Sequence, residues 1–223
     1  MDFSQIIIFL PILLFSVIVH EVAHGWVALK CGDPTARDAG RLTFNPIPHI
    51  DPFMTILLPA MLIFSGSGFI IGGAKPVPVN PYNFKRGEKD NMLVAFAGPA
   101  SNILLALVAF ILSIVVVYTW RVTESPVFLT ALKFLNIIIF LNLILANFNL
   151  LPIPPLDGSH ILAYFLKGEA KIAYLKLRRF GFMILVGIIM LGGLLPIRGG
   201  LFHLLLTPSF KLIGLLNNFL FNL

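Results

Sequence analysis

The sequence predicts an all-α polytopic membrane protein, which crosses the bilayer several times. Of its 223 residues, 58% are hydrophobic and 12% are charged, whereas about 25% of the residues of a typical soluble domain are charged. A soluble fold of this size could not hide so much apolar surface from water. We therefore expect one membrane-embedded domain over residues 1–223, with a core at 1–166 and C-terminal helices at 167–223. It would contain about four to six transmembrane or re-entrant helices.

Four apolar segments predict helices that cross the bilayer, because a span needs about 20 mainly apolar residues. They cover residues 6–29, 92–120, 127–151 and 180–195. A short helix is expected at residues 159–166, after a Pro-rich break. The last apolar segment, residues 201–221, is interrupted at Pro208, so it either spans the bilayer or lies at its surface.

The region between the first two spans predicts two irregular elements. Residues 53–64 are apolar but too short for a full crossing, and they contain Pro59, so we expect a re-entrant or partly embedded hairpin. Residues 70–82 include Pro76-Val77-Pro78-Val79, and this alternation of Pro and Val predicts a small extended or β-hairpin element and excludes a regular helix. The polar residues 83–91 predict a loop.

The basic residues predict the orientation of the chain. The net charge is +6, and Lys and Arg of multispan proteins concentrate in cytoplasmic loops, which explains this charge without a nucleic-acid partner. We therefore expect a multi-pass protein of the cell membrane with its N-terminus outside, and residues 53–64 then lie between two cytoplasmic stretches. Most of the 16 basic residues lie in three stretches between spans: Lys30, Arg37, Arg41; Lys75, Lys85, Arg86, Lys89; and Lys167, Lys171, Lys176, Arg178, Arg179.

The first span carries the pentapeptide His20-Glu21-Val22-Ala23-His24. Residues four apart on a helix lie nearly on one face, so two imidazoles can bind one metal ion with the glutamate beside it. The same pattern also occurs by chance on exposed helix faces. Here, however, each charge costs at least about 2.5–3.5 kcal/mol at the bilayer centre and less near the interface. The apolar setting therefore favours a metal site, a water-filled cavity or both.

A catalytic zinc ion usually has three protein ligands and one open position. The candidates for the third ligand are the acidic residues together with His49, His160 and His203. Asp157 is favoured because it directly follows the third span, where the predicted topology places it at the depth of His20 and His24, towards the cytoplasmic side. The alternative is that Asp157 caps the N-terminus of a short helix.

Three motifs in this order resemble the site-2 protease family of intramembrane zinc metalloproteases, in its short prokaryotic form. They are His-Glu-Val-Ala-His at 20–24, Ala-Gly-Pro-Ala-Ser-Asn at 97–102 and Asn-Leu-Leu-Pro-Ile-Pro-Pro-Leu-Asp-Gly at 149–158. The resemblance extends from the first to the third long span. It implies peptide-bond hydrolysis within or next to transmembrane segments of membrane-protein substrates.

The resemblance also implies roles for individual residues. One Zn²⁺ would be held by His20, His24 and Asp157, with Glu21 as the catalytic acid and base. Asn149 would stabilise the oxyanion of the transition state.

Other parts of the resemblance leave alternatives open. Asn102 would support the site, although both Asn102 and Asn149 could simply form hydrogen bonds between helices. Ser159 follows the Asp-Gly pair where the family often has Gly, and no PDZ or CBS regulatory domain is expected. His49 and Asp51 could gate the site or bind a second ion, but such a pair more often stabilises a buried loop.

A substrate helix hides its carbonyl groups in hydrogen bonds, so it must unwind before it is cleaved. We expect the extended stretch around Val77 and Val79 to bind the unwound substrate by strand addition. Two other functions remain open: a transporter or channel for a divalent metal, and a metal-stabilised protein that binds membrane partners without cleaving them.

Overall fold

The computed structural model describes residues 3–64, 72–194, 207–216 and 218. Within these residues the regular structure is helical and contains no β-strand. A π-helical segment, Pro52–Leu57, directly precedes α3. The α-helices in chain order are α1 Phe3–Cys31, α2 Thr35–Asp38, α3 Leu58–Phe64, α4 Glu88–Thr123, α5 Pro126–Asn149, α6 Asp157–Phe165, α7 Gly168–Leu177 and α8 Gly181–Leu194.

Three of these helices, α1, α4 and α5, are long and apolar enough to cross a membrane. The shortest of them has 24 residues, which measure about 36 Å against a hydrocarbon core of about 30 Å. Large apolar side chains of α4 are exposed at helical spacing, as expected for a face that meets lipid. They include Leu104, Leu107, Ile111 and Val115. The prediction of an all-α membrane protein is confirmed.

Helices also lie at the other predicted positions that the structure describes. That the fourth apolar segment crosses the bilayer stays a prediction, since it is not among the described helices that are long enough to span. The short helix expected at 159–166 is α6, and the fourth apolar segment contains α8 with 14 residues. The end of that segment, at residue 195, lies outside the described residues. Of the last segment, residues 207–216 are helical, and its other residues are largely outside the described part.

The loop predicted at residues 83–91 is too long, because α4 already begins at Glu88. Asp90 accepts hydrogen bonds from the backbone N of Arg86 at 2.8 Å and from its Nε at 2.7 Å. Acidic side chains in the first turn also interact favourably with the helix dipole. These polar contacts extend the helix beyond its apolar part, which was the only part that hydrophobicity could indicate.

Of the segment predicted to be extended, residues 72–80 are described, and they contain no helix and join no β-ladder. We call this stretch the extended segment. Side chains and the backbone carbonyls of Met54 and His49 bind its backbone, and no neighbouring strand is paired with it. At its start, Thr55 Oγ1 donates to the Gly73 carbonyl at 2.6 Å. Lys75 is bound through both backbone groups: its N–H donates to the His49 carbonyl at 2.7 Å, and its carbonyl accepts from Arg41 Nη2 at 2.6 Å. At the end of the segment, Asn80 N donates to Asp33 Oδ2 at 2.7 Å.

Asp33 anchors the C-terminal end of this segment. Its side chain is fully buried just after α1 and also accepts hydrogen bonds from Thr35 and Asn83. Burial favours the neutral acid, but the hydrogen bonds from Thr35, Asn83 and Asn80 outweigh it and hold the pKa of this carboxyl below its usual value. The ionised form of Asp33 therefore keeps the extended segment attached to the end of α1.

The chain forms two compact units, residues 1–101 and 102–223, with the boundary inside α4. In the first unit, Ala28, Cys31, Phe84 and Val94 form a buried apolar cluster, against which Val79 packs. In the second, Val117 of α4 packs with Leu132 of α5. The expectation of a single membrane-embedded domain stays a prediction.

Candidate active site

His20 and His24 bring two imidazole nitrogens together in the first unit. Both side chains are buried, at 6% and 9% exposure, within a helix that can span the membrane. Their Nε2 atoms are 2.9 Å apart, and the rings meet edge to face. The four-residue spacing on α1 therefore directs both nitrogens to one point, as the sequence predicts.

The orientation of His24 is set by α4. Its Nδ1 lies 2.7 Å from the carbonyl oxygen of Val94, which can accept a hydrogen bond only if Nδ1 carries the proton. In the neutral ring, Nε2 is then unprotonated and faces His20. This is the common arrangement for a metal-binding histidine, in which a carbonyl fixes the tautomer and the ring direction.

Gly98 of α4 provides the space for the two rings. A Cβ atom on Gly98 would lie 2.5 Å from two atoms of the His20 ring and even nearer to Nε2 of His24. Only a residue without a side chain therefore fits beside this pair. Gly98 is part of the Ala-Gly-Pro-Ala-Ser-Asn motif, but the sequence alone does not reveal its contact with the histidines.

We predict that Gly98→Ala displaces the imidazoles and weakens metal binding about 10- to 100-fold, comparable to the loss of an outer-shell partner. Alanine is favoured over glycine inside a helix by about 1 kcal/mol, so helix stability alone predicts no loss. The measurement is zinc affinity by competition with a chromophoric chelator. Gly187→Ala in α8 is the matched control, because its Cβ would meet nothing within 4 Å. Equal zinc affinity of the two variants would contradict the prediction.

Glu21 lies next to this pair on α1, and its carboxylate is held by the extended segment. Oε2 accepts a hydrogen bond of 2.7 Å from the backbone N–H of Val77. The Val77 side chain is buried, and Val79 packs against the apolar cluster at the end of α1. The side chains of both valines thus face the interior, so any part of this segment in substrate binding falls to its backbone. Their role as substrate-binding residues stays a prediction.

The chemistry of these groups fits a zinc ion. Two ligands at about 2.0–2.1 Å from a tetrahedral ion lie about 3.3 Å apart, and the Nε2 atoms of His20 and His24 are at 2.9 Å. A small side-chain movement would therefore accommodate the ion. Glu21 directly follows His20 in the sequence, and its carboxylate is held by the Val77 N–H, which is a contact separate from the histidines. The carboxylate is therefore available for chemistry other than metal coordination.

Asp157 belongs to the second unit and is the first residue of α6. The N-cap of α6 is Leu156, which makes no side-chain cap hydrogen bond, so Asp157 is not the N-cap residue that was considered as the alternative. Gly158 allows the start of α6 to lie against the end of α5, since a Cβ there would be 2.5 Å from the Leu151 carbonyl oxygen and nearer still to Leu150. That Asp157 joins the two histidines stays a prediction.

The two asparagines of the motifs lie in the second unit and form helix contacts. Asn102 is fully buried, and its Nδ2 donates to Oδ1 of Asn142 at 2.8 Å, which links α4 to α5. This is the interhelical hydrogen bond that was the alternative role for Asn102. Asn149 Nδ2 donates to the Leu145 carbonyl of its own helix at 3.0 Å. Its oxyanion role stays a prediction.

The other histidine candidates have structural contacts of their own. His49 is fully buried, and its Nε2 lies 2.9 Å from the Thr43 carbonyl. Asp51 accepts hydrogen bonds from the backbone N–H groups at the start of the π-helical segment. These bonds agree with the stabilisation of a buried loop. His160 contacts Arg178, whose Nη2 lies 2.7 Å from His160 Nε2. His203 lies outside the described residues.

Comparison with known proteins places these motifs in a family. The model of peptidase family M50 matches residues 8–192. Three relatives carry the name "Putative zinc metalloprotease". YwhC of Bacillus subtilis is 41% identical over 173 residues, which are 77% of this chain and 75% of the relative. Rip2 of Mycolicibacterium smegmatis is 32% identical over 176 residues, 78% of this chain and 62% of the relative. MJ0611 of Methanocaldococcus jannaschii is 34% identical over 148 residues, 66% of this chain and 64% of the relative.

No solved structure matches the chain. The family model nevertheless covers most of its length, including all three motifs, and YwhC is matched over three quarters of its own sequence. The chain therefore belongs to peptidase family M50, the site-2 protease family, and is a zinc metallopeptidase of that type.

Proposed function

We propose that this chain hydrolyses peptide bonds within or next to transmembrane segments of membrane-protein substrates. The observation that carries the proposal is the convergence of His20 and His24 beside Glu21, inside a helix that can span a membrane. A site buried in such a helix meets substrates that lie in the bilayer. Charged and polar groups in a span are also rare and commonly functional.

In this proposal, His20, His24 and Asp157 hold one zinc ion. The first two have convergent Nε2 atoms, and Asp157 starts α6 immediately after the Pro-rich break. When bound, zinc supplies a Lewis acid that makes a water molecule acidic near neutral pH and polarises the peptide carbonyl. The hydrogen bond between His24 and the Val94 carbonyl would keep this ligand correctly oriented.

Glu21 is the proposed proton carrier. The N–H of Val77 binds Oε2 and fixes the carboxylate, which leaves Oε1 to accept the proton from the attacking water. The same oxygen then gives the proton to the leaving amine. Asn149, eight residues before Asp157, is the proposed donor to the oxyanion, and Asn102 would support α5 through its bond to Asn142.

The extended segment is the proposed docking edge for an unwound substrate. Alternate residues of an extended chain direct their backbone groups to opposite sides, and the Val77 N–H is bound to Glu21. Pro76 and Pro78 have no N–H, so the other side of this segment presents carbonyl acceptors to a substrate N–H. Charged or proline substitutions at Val77 and Val79 that left cleavage intact would exclude this docking edge.

We further propose that the protein is a multi-pass component of the cell membrane with its N-terminus outside and its active site towards the cytoplasm. The support is the distribution of Lys and Arg, which concentrates in the stretches after α1, before α4 and after α6. Cysteine labelling that placed Lys85 outside and Arg37 inside would contradict this orientation.

The test uses the full chain purified in detergent. We expect about one zinc per chain, cleavage of a model transmembrane peptide, loss of cleavage after chelation and recovery after zinc is restored. Zinc binding without cleavage of any such peptide would instead indicate a protein that only binds partners. Zinc flux into liposomes containing the protein, without peptide cleavage, would indicate a transporter.

A further inference from the structure

An apolar cavity of about 270 Å³ lies within the first unit. One wall is a face of α1 that includes Leu10, Leu14 and Val17. The other wall is formed by Pro59 of α3 and by the start of the extended segment at 72–74. None of these residues has a part in the chemistry proposed above, so the cavity needs an explanation of its own.

Both walls of the cavity lead to Glu21. Leu10, Leu14, Val17 and Glu21 are spaced four, three and four residues apart, which places them along one face of α1. Val17 precedes Glu21 by one turn, or about 6 Å along the helix. On the opposite wall, Ala74 precedes Val77 by three residues, or about 10 Å of extended chain, and the Val77 N–H binds Glu21.

We propose that this cavity is a substrate subsite for a bulky apolar side chain, two or three residues from the bond that is cleaved. An extended substrate rises about 3.3 Å per residue, so two or three residues cover the 6–10 Å between Glu21 and the cavity. The inference rests on the proposed proteolytic function and adds a sequence preference to it.

The size and chemistry of the cavity select this occupant. A cavity of about 150 Å³ in another protein holds benzene, so about 270 Å³ accommodates an aromatic or large aliphatic side chain. The one hydroxyl in the wall, from Thr55, donates to the Gly73 carbonyl and accepts from the N–H of Asp51. Since this hydroxyl is engaged, a polar substrate side chain would lose its hydration there without compensation.

Gly73 is the residue that sets the size of the subsite. A Cβ on Gly73 would meet only the Met54 Cε atom, at 3.9 Å, so a side chain can be added here, and Gly73 is itself part of the cavity wall. At Gly72, by contrast, a Cβ would lie 2.9 Å from Pro59 Cγ and 3.3 Å from the Met54 carbonyl oxygen. Gly73→Leu is therefore the variant that blocks the subsite with the least disturbance of the backbone.

The first experiment determines cleavage preferences with a library of model transmembrane peptides varied at each position around the cleaved bond. For wild type we expect a preference for Phe or Leu over Ala, about tenfold or more in kcat/KM, at one position two or three residues away. Gly73→Leu should remove or reverse this preference by lowering kcat/KM for the Phe and Leu peptides to or below that for the Ala peptide. Leu14→Ala should extend acceptance to Trp. Phe15→Ala, at an exposed position of α1, is the control and should keep the wild-type preference.

The second experiment does not depend on cleavage. A model peptide carries p-benzoylphenylalanine at successive positions, and its photo-adducts on the Glu21→Gln chain are mapped by mass spectrometry. We expect adducts at Leu14 or Val17 from one peptide position, and their loss in the Gly73→Leu background. Cleavage without any positional preference, or cavity adducts only from a photoactivatable acyl chain, would overturn the subsite. Cavity adducts with no cleavage by wild type would show that the cavity binds a side chain of a membrane peptide, but would overturn the proteolytic function.

Discussion

Replacement of Glu21 by Gln should abolish peptide cleavage while the chain keeps its zinc. Gln has nearly the same shape, and its carbonyl oxygen can still accept the hydrogen bond that Val77 N–H gives to Glu21. It cannot take a proton from water, however, and loss of a general base costs about 10²–10⁴-fold in rate. We therefore expect kcat to fall by at least about 100-fold, with zinc per chain unchanged, measured on the same purified sample.

Glu169→Gln is the matched control, because Glu169 is an exposed residue in the first turn of α7. This variant should cleave the peptide at the wild-type rate. Wild-type cleavage by Glu21→Gln would exclude Glu21 as the proton carrier. Loss of zinc from Glu21→Gln would show that this carboxylate acts in metal binding, which would require a different assignment of the ligands.

The long helices could be predicted because their length and apolar content follow directly from the thickness of the bilayer. The extended segment could be predicted because prolines at 76 and 78 exclude a helix. The start of α4 at Glu88 and the helix α7 could not, since both are polar and have no apolar periodicity. Their formation depends on side-chain contacts such as the bond between Asp90 and Arg86.

In the active site, contacts between residues close in the sequence could be predicted, whereas contacts between distant residues could not. The pairing of His20 with His24 follows from helical spacing alone, so the sequence was sufficient for it. The partners that orient them are distant in the chain: the Val94 carbonyl is 70 residues from His24, and the Val77 N–H is 56 residues from Glu21. Backbone groups carry no residue-type signal, and therefore the sequence could not indicate these contacts.

Replacement of Asp157 by Asn should weaken zinc binding at least about 100-fold, more than the loss of an outer-shell partner. Histidine ligands are neutral, so in the proposed site Asp157 provides the only negative charge among the protein ligands. Asn keeps the size of the side chain but removes that charge. Zinc affinity is measured by chelator competition, and cleavage should decrease in parallel and recover partly at high zinc concentration.

Asp38→Asn is the control for this result, because Asp38 is exposed and paired with Arg37 at the surface. It should leave zinc affinity unchanged. Unchanged affinity in Asp157→Asn would mean that the third ligand lies elsewhere. Loss of zinc affinity in Asp157→Asn but not in Asp38→Asn would instead support Asp157 as the third ligand. Chelation should also make the chain more susceptible to proteolysis as well as inactive, because an ion that binds the folded chain stabilises it.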